Sequence, residues 1–122
     1  MIKIDDKGFY MPRWIQPSTR LAIYHRDGFS CAYCGDVAED GCVLTLDHVL
    51  ARDLGGSNDS TNLVTSCLSC NSSKQNKTMR EWYRNLRDRG IDTSKVGARV
   101  RRQLKKAVDR KEGRRLACIR RK

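Results

Sequence analysis

Two cysteine pairs of identical spacing, Cys31-Ala-Tyr-Cys34 and Cys67-Leu-Ser-Cys70, constrain this chain more than any other feature, and thirty-two residues lie between them. A chain of 122 residues has room for one domain with a modest core. Cores of that size are commonly stapled, often by a metal. The start, Met1-Ile-Lys-Ile-Asp-Asp6, lacks the apolar run of a secretory signal, and no stretch approaches the ~20 apolar residues of a membrane span. The expected location is therefore cytoplasmic, where six cysteines do not form a disulfide framework. Two C-x-x-C pairs in that setting predict a tetrathiolate Zn²⁺ site on Cys31, Cys34, Cys67 and Cys70, structural because it has no open coordination position. The gap between the pairs exceeds that of a plain zinc ribbon, so a whole structural unit is expected there, clamped at both ends. Cys42 and Cys118 are left over and read as small packing residues, since neither has an activating base nearby in sequence.

The formal net charge of +11 is confined to one segment. Residues 95–122 hold thirteen of the 25 Lys and Arg against only Asp109 and Glu112, whereas residues 1–94 are balanced. Such a segment predicts a polyanionic partner, nucleic acid first of all. A membrane surface fits less well, because the segment has no aromatic anchor. Arg99, Arg101, Arg102, Lys105 and Lys106 are the candidate nucleic-acid contacts within it.

Three regions follow. Residues 1–16 read as an N-terminal hairpin or flap, with Ile2 and Ile4 alternating and Asp5-Asp6-Lys7-Gly8 as the turn. Residues 17–92 read as the main domain, and residues 93–122 as a basic C-terminal helical extension. Ser18 or Thr19 is expected to cap a first helix that Gly28 stops, with His25 as a surface or packing histidine. Cys42 to Val49 reads as a strand, with Leu44 to His48 as its alternating run, and Asn62 to Ser66 is a second. A loop over 51–61 carries Gly55-Gly56. A helix is expected from Asn71 to about Thr78, and another from the capping box Thr78-Met-Arg-Glu81 to Arg89-Gly90. The last should run from a Thr93 or Ser94 cap to about Glu112, with Val96, Val100, Leu104 and Val108 as a narrow apolar stripe and Gly113 as its break.

The chemistry lies between the cysteine pairs. Asp47 and His48 end the first strand, and Asn71 follows the last cysteine. An imidazole is mostly neutral above about pH 7 and can take a proton from water. A carboxylate and an amide oxygen are hard ligands suited to Mg²⁺ or Mn²⁺. Phosphodiester hydrolysis needs these parts: a nucleophile made from water, charge stabilisation at phosphorus, and help for the leaving oxygen. Strict alternation sends Asp47 and His48 to opposite faces, so the strand must twist, bulge or end there. Arg52, Lys74 and Lys77 are candidate phosphate contacts, Lys74 lying one helical turn from Asn71.

In this order, the first cysteine pair, Asp47-His48, Gly55-Gly56, Asn62-Leu63, the second cysteine pair and Asn71 resemble the HNH endonuclease family, the ββα-metal nucleases. The resemblance spans about Arg20 to Trp82. It implies an α+β fold in which a ββα-metal motif, stapled by the four-cysteine zinc site, is flanked by helices. It implies a metal-dependent DNA endonuclease acting on duplex DNA. His48 would be the general base, and Asp47 and Asn71 would hold one Mg²⁺ or Mn²⁺. Asn62, the middle residue of the motif, would hold the loop so that a backbone carbonyl orients His48. Asn71, where the family often has histidine, would sit at a helix start and tilt preference toward Mg²⁺. The resemblance is to small phage and mobile-element proteins, so a second protein of that origin is the other partner it allows. Two other readings stand: a non-catalytic zinc-stapled nucleic-acid-binding module, and an RNA-directed binder or nuclease. Asp47, His48 and Asn71 together favour catalysis, because binding alone needs no base beside two hard ligands. DNA is preferred to RNA by analogy only.

Overall fold

The computed structural model describes residues 14–120. The expected hairpin of residues 1–16 lies outside the described residues but for its last three. Two strands, Leu44–His48 (β1) and Leu63–Cys67 (β2), pair antiparallel. The register is regular, from Leu44 opposite Cys67 to His48 opposite Leu63. Opposed residues share a face, so Leu44 and Leu46 lie with Thr65 and Leu63, and Asp47 lies with Val64 on the other side.

A lone hairpin is marginal in water, and here both faces are covered. Leu44, Leu46 and Leu63 pack against Leu21, Ile23 and Tyr24 of helix α1 (Pro17–Arg26). Val64 packs with Tyr33, with Trp82 and Leu86 of helix α3 (Met79–Asp88), and with Val96 and Val100 of helix α4 (Thr93–Lys105). A short helix, α2 (Leu68–Lys74), follows β2, and α5 (Arg110–Arg120) closes the chain. The class is α+β. Among the described residues no helix is long and apolar enough to cross a membrane.

The outer edge of β2 is not left open. Arg26 and Asp27 form a fully buried pair at 2.7 Å. The guanidinium also donates to the carbonyls of Ser60 (2.9 Å) and Leu63 (2.6 Å), and the amide of Thr65 donates to Asp27 at 2.9 Å. The carbonyl of Thr65 accepts from Ala32 N at 2.9 Å. Backbone groups that would template aggregation are thereby satisfied.

Several expected boundaries shift, each for a local reason. Pro17 takes the first position of α1 behind Gln16, in place of a Ser18 or Thr19 cap, because its fixed φ suits that position and its missing N–H is not needed there. Helix α2 begins at Leu68 and not at Asn71, because the Cys67 sulfur accepts from Cys70 N and caps it at 3.3 Å. Asp92 caps α4 through Ser94 N at 3.0 Å, in place of Thr93 or Ser94. The capping box of α3 forms with both of its hydrogen bonds. The long final helix is two helices, parted at 106–109, where Asp109 accepts from Glu112 N and starts α5. Gly113, expected as the break, lies inside α5, where a Cβ would stand 2.2 Å from the carbonyl oxygen of Ser18. Its missing side chain is what lets α5 approach α1, and Ala117 is buried there against the same cluster. The basic segment is thus packed into both halves of the core.

Candidate active site and cysteine cluster

The four paired cysteines converge. Their sulfurs all lie within 4.8 Å of one another, and none forms a disulfide. Cys34 Sγ stands 3.7 Å from Cys67 Sγ. Metal–sulfur bonds of about 2.3 Å in a tetrahedron give sulfur–sulfur edges of about 3.8 Å. Backbone amides face the sulfurs: Tyr33 N and Cys34 N toward Cys31 (3.4 and 3.5 Å), and Cys70 N toward Cys67. Cys31 is drawn toward ionisation, down to about 4, by its hydrogen bond with Cys70 and against burial. Burial pushes Cys34 up to about 12, and the contact with Cys31 raises Cys70. A cation removes that conflict by accepting all four as thiolates. The donor set and its geometry fit a tetrahedrally held metal ion.

On the far edge of β1 lies a cleft of about 410 Å³ whose lining includes Asp47, His48, Asn71, Arg52, Gln75 and Trp14. The register runs regularly through His48 and the strand ends there. It is the strand's end, with no bulge, that lets residues of opposite faces look into one cleft. Two side chains of α2 bind the exposed edge of β1. Asn71 donates Nδ2 to the Leu46 carbonyl at 3.1 Å, and Lys74 donates Nζ to the His48 carbonyl at 2.9 Å. Asn71 lies within α2 and not at its start, so the first amides of that helix serve the cysteine cluster.

Asp47 is only 3 % exposed. Its Oδ2 accepts from the Tyr33 hydroxyl and from Lys74 Nζ, the latter at 3.2 Å. Burial pushes the carboxyl above its ordinary range, outweighing Lys74 and the Tyr33 hydrogen bond. The Tyr33 hydroxyl is pushed well up by its own burial and by the charge of Asp47. His48 is half-buried. Its Nε2 lies 2.8 Å from Asn58 Oδ1, and the Trp14 ring leans over it at 4.9 Å between centroids. The expected backbone carbonyl is replaced by this side-chain amide. Asn62 is turned into the loop: Oδ1 accepts from Leu50 N (2.9 Å), and Nδ2 donates to Leu50 O and Ser57 O (3.0 and 2.9 Å). Gly56 closes that loop where no side chain fits, since a Cβ would fall 1.7 Å from Leu50 O.

The basic candidates divide. Lys74 is fully buried and turned inward, so it does not reach a phosphate; the helical turn that brings it near Asn71 carries it into the core. Arg99 is turned toward the cysteine loop, donating to Ala32 O at 3.0 Å. Lys77 is half-buried and donates to Ser73 O at 2.8 Å. Arg52 lines the cleft while donating to Gly56 O at 3.0 Å. Arg101, Arg102, Lys105 and Lys106 are exposed. Tyr33, Asn58 and Trp14 went unmarked in the sequence. Only Tyr33 carried a signal there, its place inside the first cysteine pair.

A family model described as HNH endonuclease matches residues 31–87. Over those residues the chain is similar to the HNH endonuclease family. It is 37 % identical over 60 residues to a protein of the SPbeta prophage of Bacillus subtilis (strain 168) that is named for this same family, covering 43 % of this chain and 26 % of that one. It is 32 % identical over 83 residues to the CRISPR-associated endonuclease Cas9 of Corynebacterium diphtheriae, covering 67 % of this chain and 8 % of that one. The chain thus spans about a quarter of the first relative and under a tenth of the second.

Proposed function

We propose that this chain is a metal-dependent HNH endonuclease that hydrolyses phosphodiester bonds in duplex DNA. The observation that supports it best is that Asp47, His48 and Asn71 line one open cleft although they come from a strand, its end and a helix. Binding alone would not need a base, a carboxylate and an amide gathered in one place.

The roles follow from the contacts. With Asn58 Oδ1 as acceptor, the His48 ring carries its hydrogen on Nε2, and Nδ1 is left to take a proton from the attacking water. Asn71 spends Nδ2 on Leu46 O, which leaves Oδ1 for a cation. Asp47 spends Oδ2 on Tyr33 and Lys74, which leaves its other oxygen. A hard, oxygen-seeking cation, Mg²⁺ or Mn²⁺, held by these two residues would supply charge at the scissile phosphate and the leaving oxygen. Asn62 holds the loop that carries Asn58. The cysteine cluster would hold Zn²⁺ in a closed, structural site. The exposed Arg101, Arg102, Lys105 and Lys106 supply phosphate contacts. The likeness to a prophage protein supports a role in a phage or other mobile element.

The test is plasmid cleavage with Mg²⁺, Mn²⁺, Zn²⁺ or chelator, with a single-stranded RNA arm beside it. Cutting of the plasmid with Mg²⁺ or Mn²⁺ is expected. His48→Ala should reduce it by at least about two orders of magnitude with DNA affinity unchanged. Binding without cutting in every metal would favour the non-catalytic module, and cleavage confined to RNA would reassign the substrate.

A further inference from the structure

Asp47 is gripped from its buried side by two donors on one oxygen. One is the Lys74 ammonium, which also holds the His48 carbonyl. The other is the Tyr33 hydroxyl, and Tyr33 sits between Cys31 and Cys34. Little in this tyrosine can move. It is 1 % exposed, and its ring stands edge-on to Trp82 at 5.4 Å and 85°. Its amide points at Cys31 Sγ, and the neighbouring Ala32 N is fixed to Thr65 O. The phenol therefore projects from a loop set by the cysteine cluster and ends on the carboxylate at the floor of the cleft.

We propose that Tyr33 is a positioning residue for the cation site: it holds Asp47 in the rotamer that offers one oxygen to the cleft, and it ties that rotamer to the cysteine cluster. The proposal rests on the reading of Asp47 as a cation ligand. Two effects compete when the hydroxyl is removed. The carboxylate loses a donor and becomes a stronger ligand. It also loses its orientation, and the Lys74 ammonium, still 3.2 Å away, is free to draw in both oxygens. Orientation decides, because groups that hydrogen-bond a metal ligand from behind are worth typically about 10–100-fold in metal affinity or activity.

Tyr33→Phe keeps the ring and its contact with Trp82. The zinc-loaded variant is compared with the intact chain and with Asp47→Ala, and Mn²⁺ binding is measured without substrate by the loss of the free-ion electron paramagnetic signal. Tyr33→Phe is expected to keep its zinc and a cooperative melt. Its Mn²⁺ affinity should fall about 10–100-fold, and the metal needed for half-maximal cleavage should rise by the same factor. The rate at saturating metal should stay within about threefold of the intact chain, because His48 and Asn58 are untouched. Affinity within about twofold of the intact chain, against that expected factor, would overturn the proposal while leaving the ligand reading in place. Mn²⁺ binding that survives Asp47→Ala would remove the ligand reading and this proposal with it. Should Tyr33→Phe fail to melt cooperatively, 3-fluorotyrosine at position 33 keeps the hydroxyl and reports directly. Its ¹⁹F resonance is expected to shift on adding Mg²⁺, and a resonance that does not move overturns the proposal.

Discussion

His48 and Asn71 meet in the cleft with different dependencies, which single substitutions can separate. Asn58 touches the imidazole. Asn58→Ala should therefore lower the cleavage rate by about 10- to 100-fold and leave the Mg²⁺ concentration for half-maximal cleavage where it was. Asn71→Ala should do the reverse, raising the Mg²⁺ requirement as its main effect, because its amide oxygen is the proposed ligand. A metal titration of cleavage by the two variants checks both, and matching curves would mean that one of the two roles is misassigned. Asp47, His48 and Asn71 could be singled out in the sequence because their residue types are themselves chemical statements. Asn58 could not, because one asparagine after Gly56-Ser57 has the same composition as any turn.

The elements hold together through contacts that few substitutions tolerate. Gly113→Ala removes a helix-interior glycine, which by itself favours the helix by about 1 kcal/mol. Its Cβ would meet Ser18 O at 2.2 Å, so α5 must lift from α1, and crowding of that kind costs about 1–3 kcal/mol. The steric effect should win, and the denaturant midpoint should fall with zinc content unchanged. A raised midpoint would show that α5 can shift without loss. Asp27→Ala strips the partner from a buried guanidinium and an acceptor from Thr65 N. Breaking such a pair costs about 3–5 kcal/mol, a large part of the stability of a small domain, so thermal unfolding should move down by many degrees. The two strands, the capping box and the Val96, Val100 and Leu104 part of the apolar stripe followed from local pattern, whereas Val108 lies beyond α4 and packs with the α1 side of the core. The start of α2 did not, because its cap is a sulfur held in place by the other cysteine pair.

At the scale of the molecule, the cysteine cluster joins the loop before β1 to the end of β2 and the first turn of α2. Removing the metal with a strong chelator, or replacing Cys67 by Ser, should unfold the chain and not merely inactivate it; far-ultraviolet dichroism after chelation checks this. DNA affinity should weaken with salt, each phosphate neutralised adding about 0.9 to the slope of log affinity against log salt. Replacing Arg101, Arg102, Lys105 and Lys106 together by Gln should flatten that slope by about 3 to 4, while His48→Ala leaves it unchanged. An unaltered slope in the fourfold variant would place the phosphate contacts elsewhere.

The amino-acid order by itself determined the α+β class, the four converging cysteines and the types of residue available for catalysis. Each of these depends on residue type and spacing, which are written in the chain. The tertiary structure alone decided how those residues are used. It buried Lys74 against Asp47 and turned Arg99 to the cysteine loop, made Gly113 a contact and not a break, and brought Tyr33 and Asn58 to the carboxylate and the imidazole. A side chain's partner is set by whichever elements pack around it. Tyr33 and Asp47 are 14 positions apart, His48 and Asn58 are 10, and Lys74 and the His48 carbonyl are 26, so each pair is joined only when the core closes.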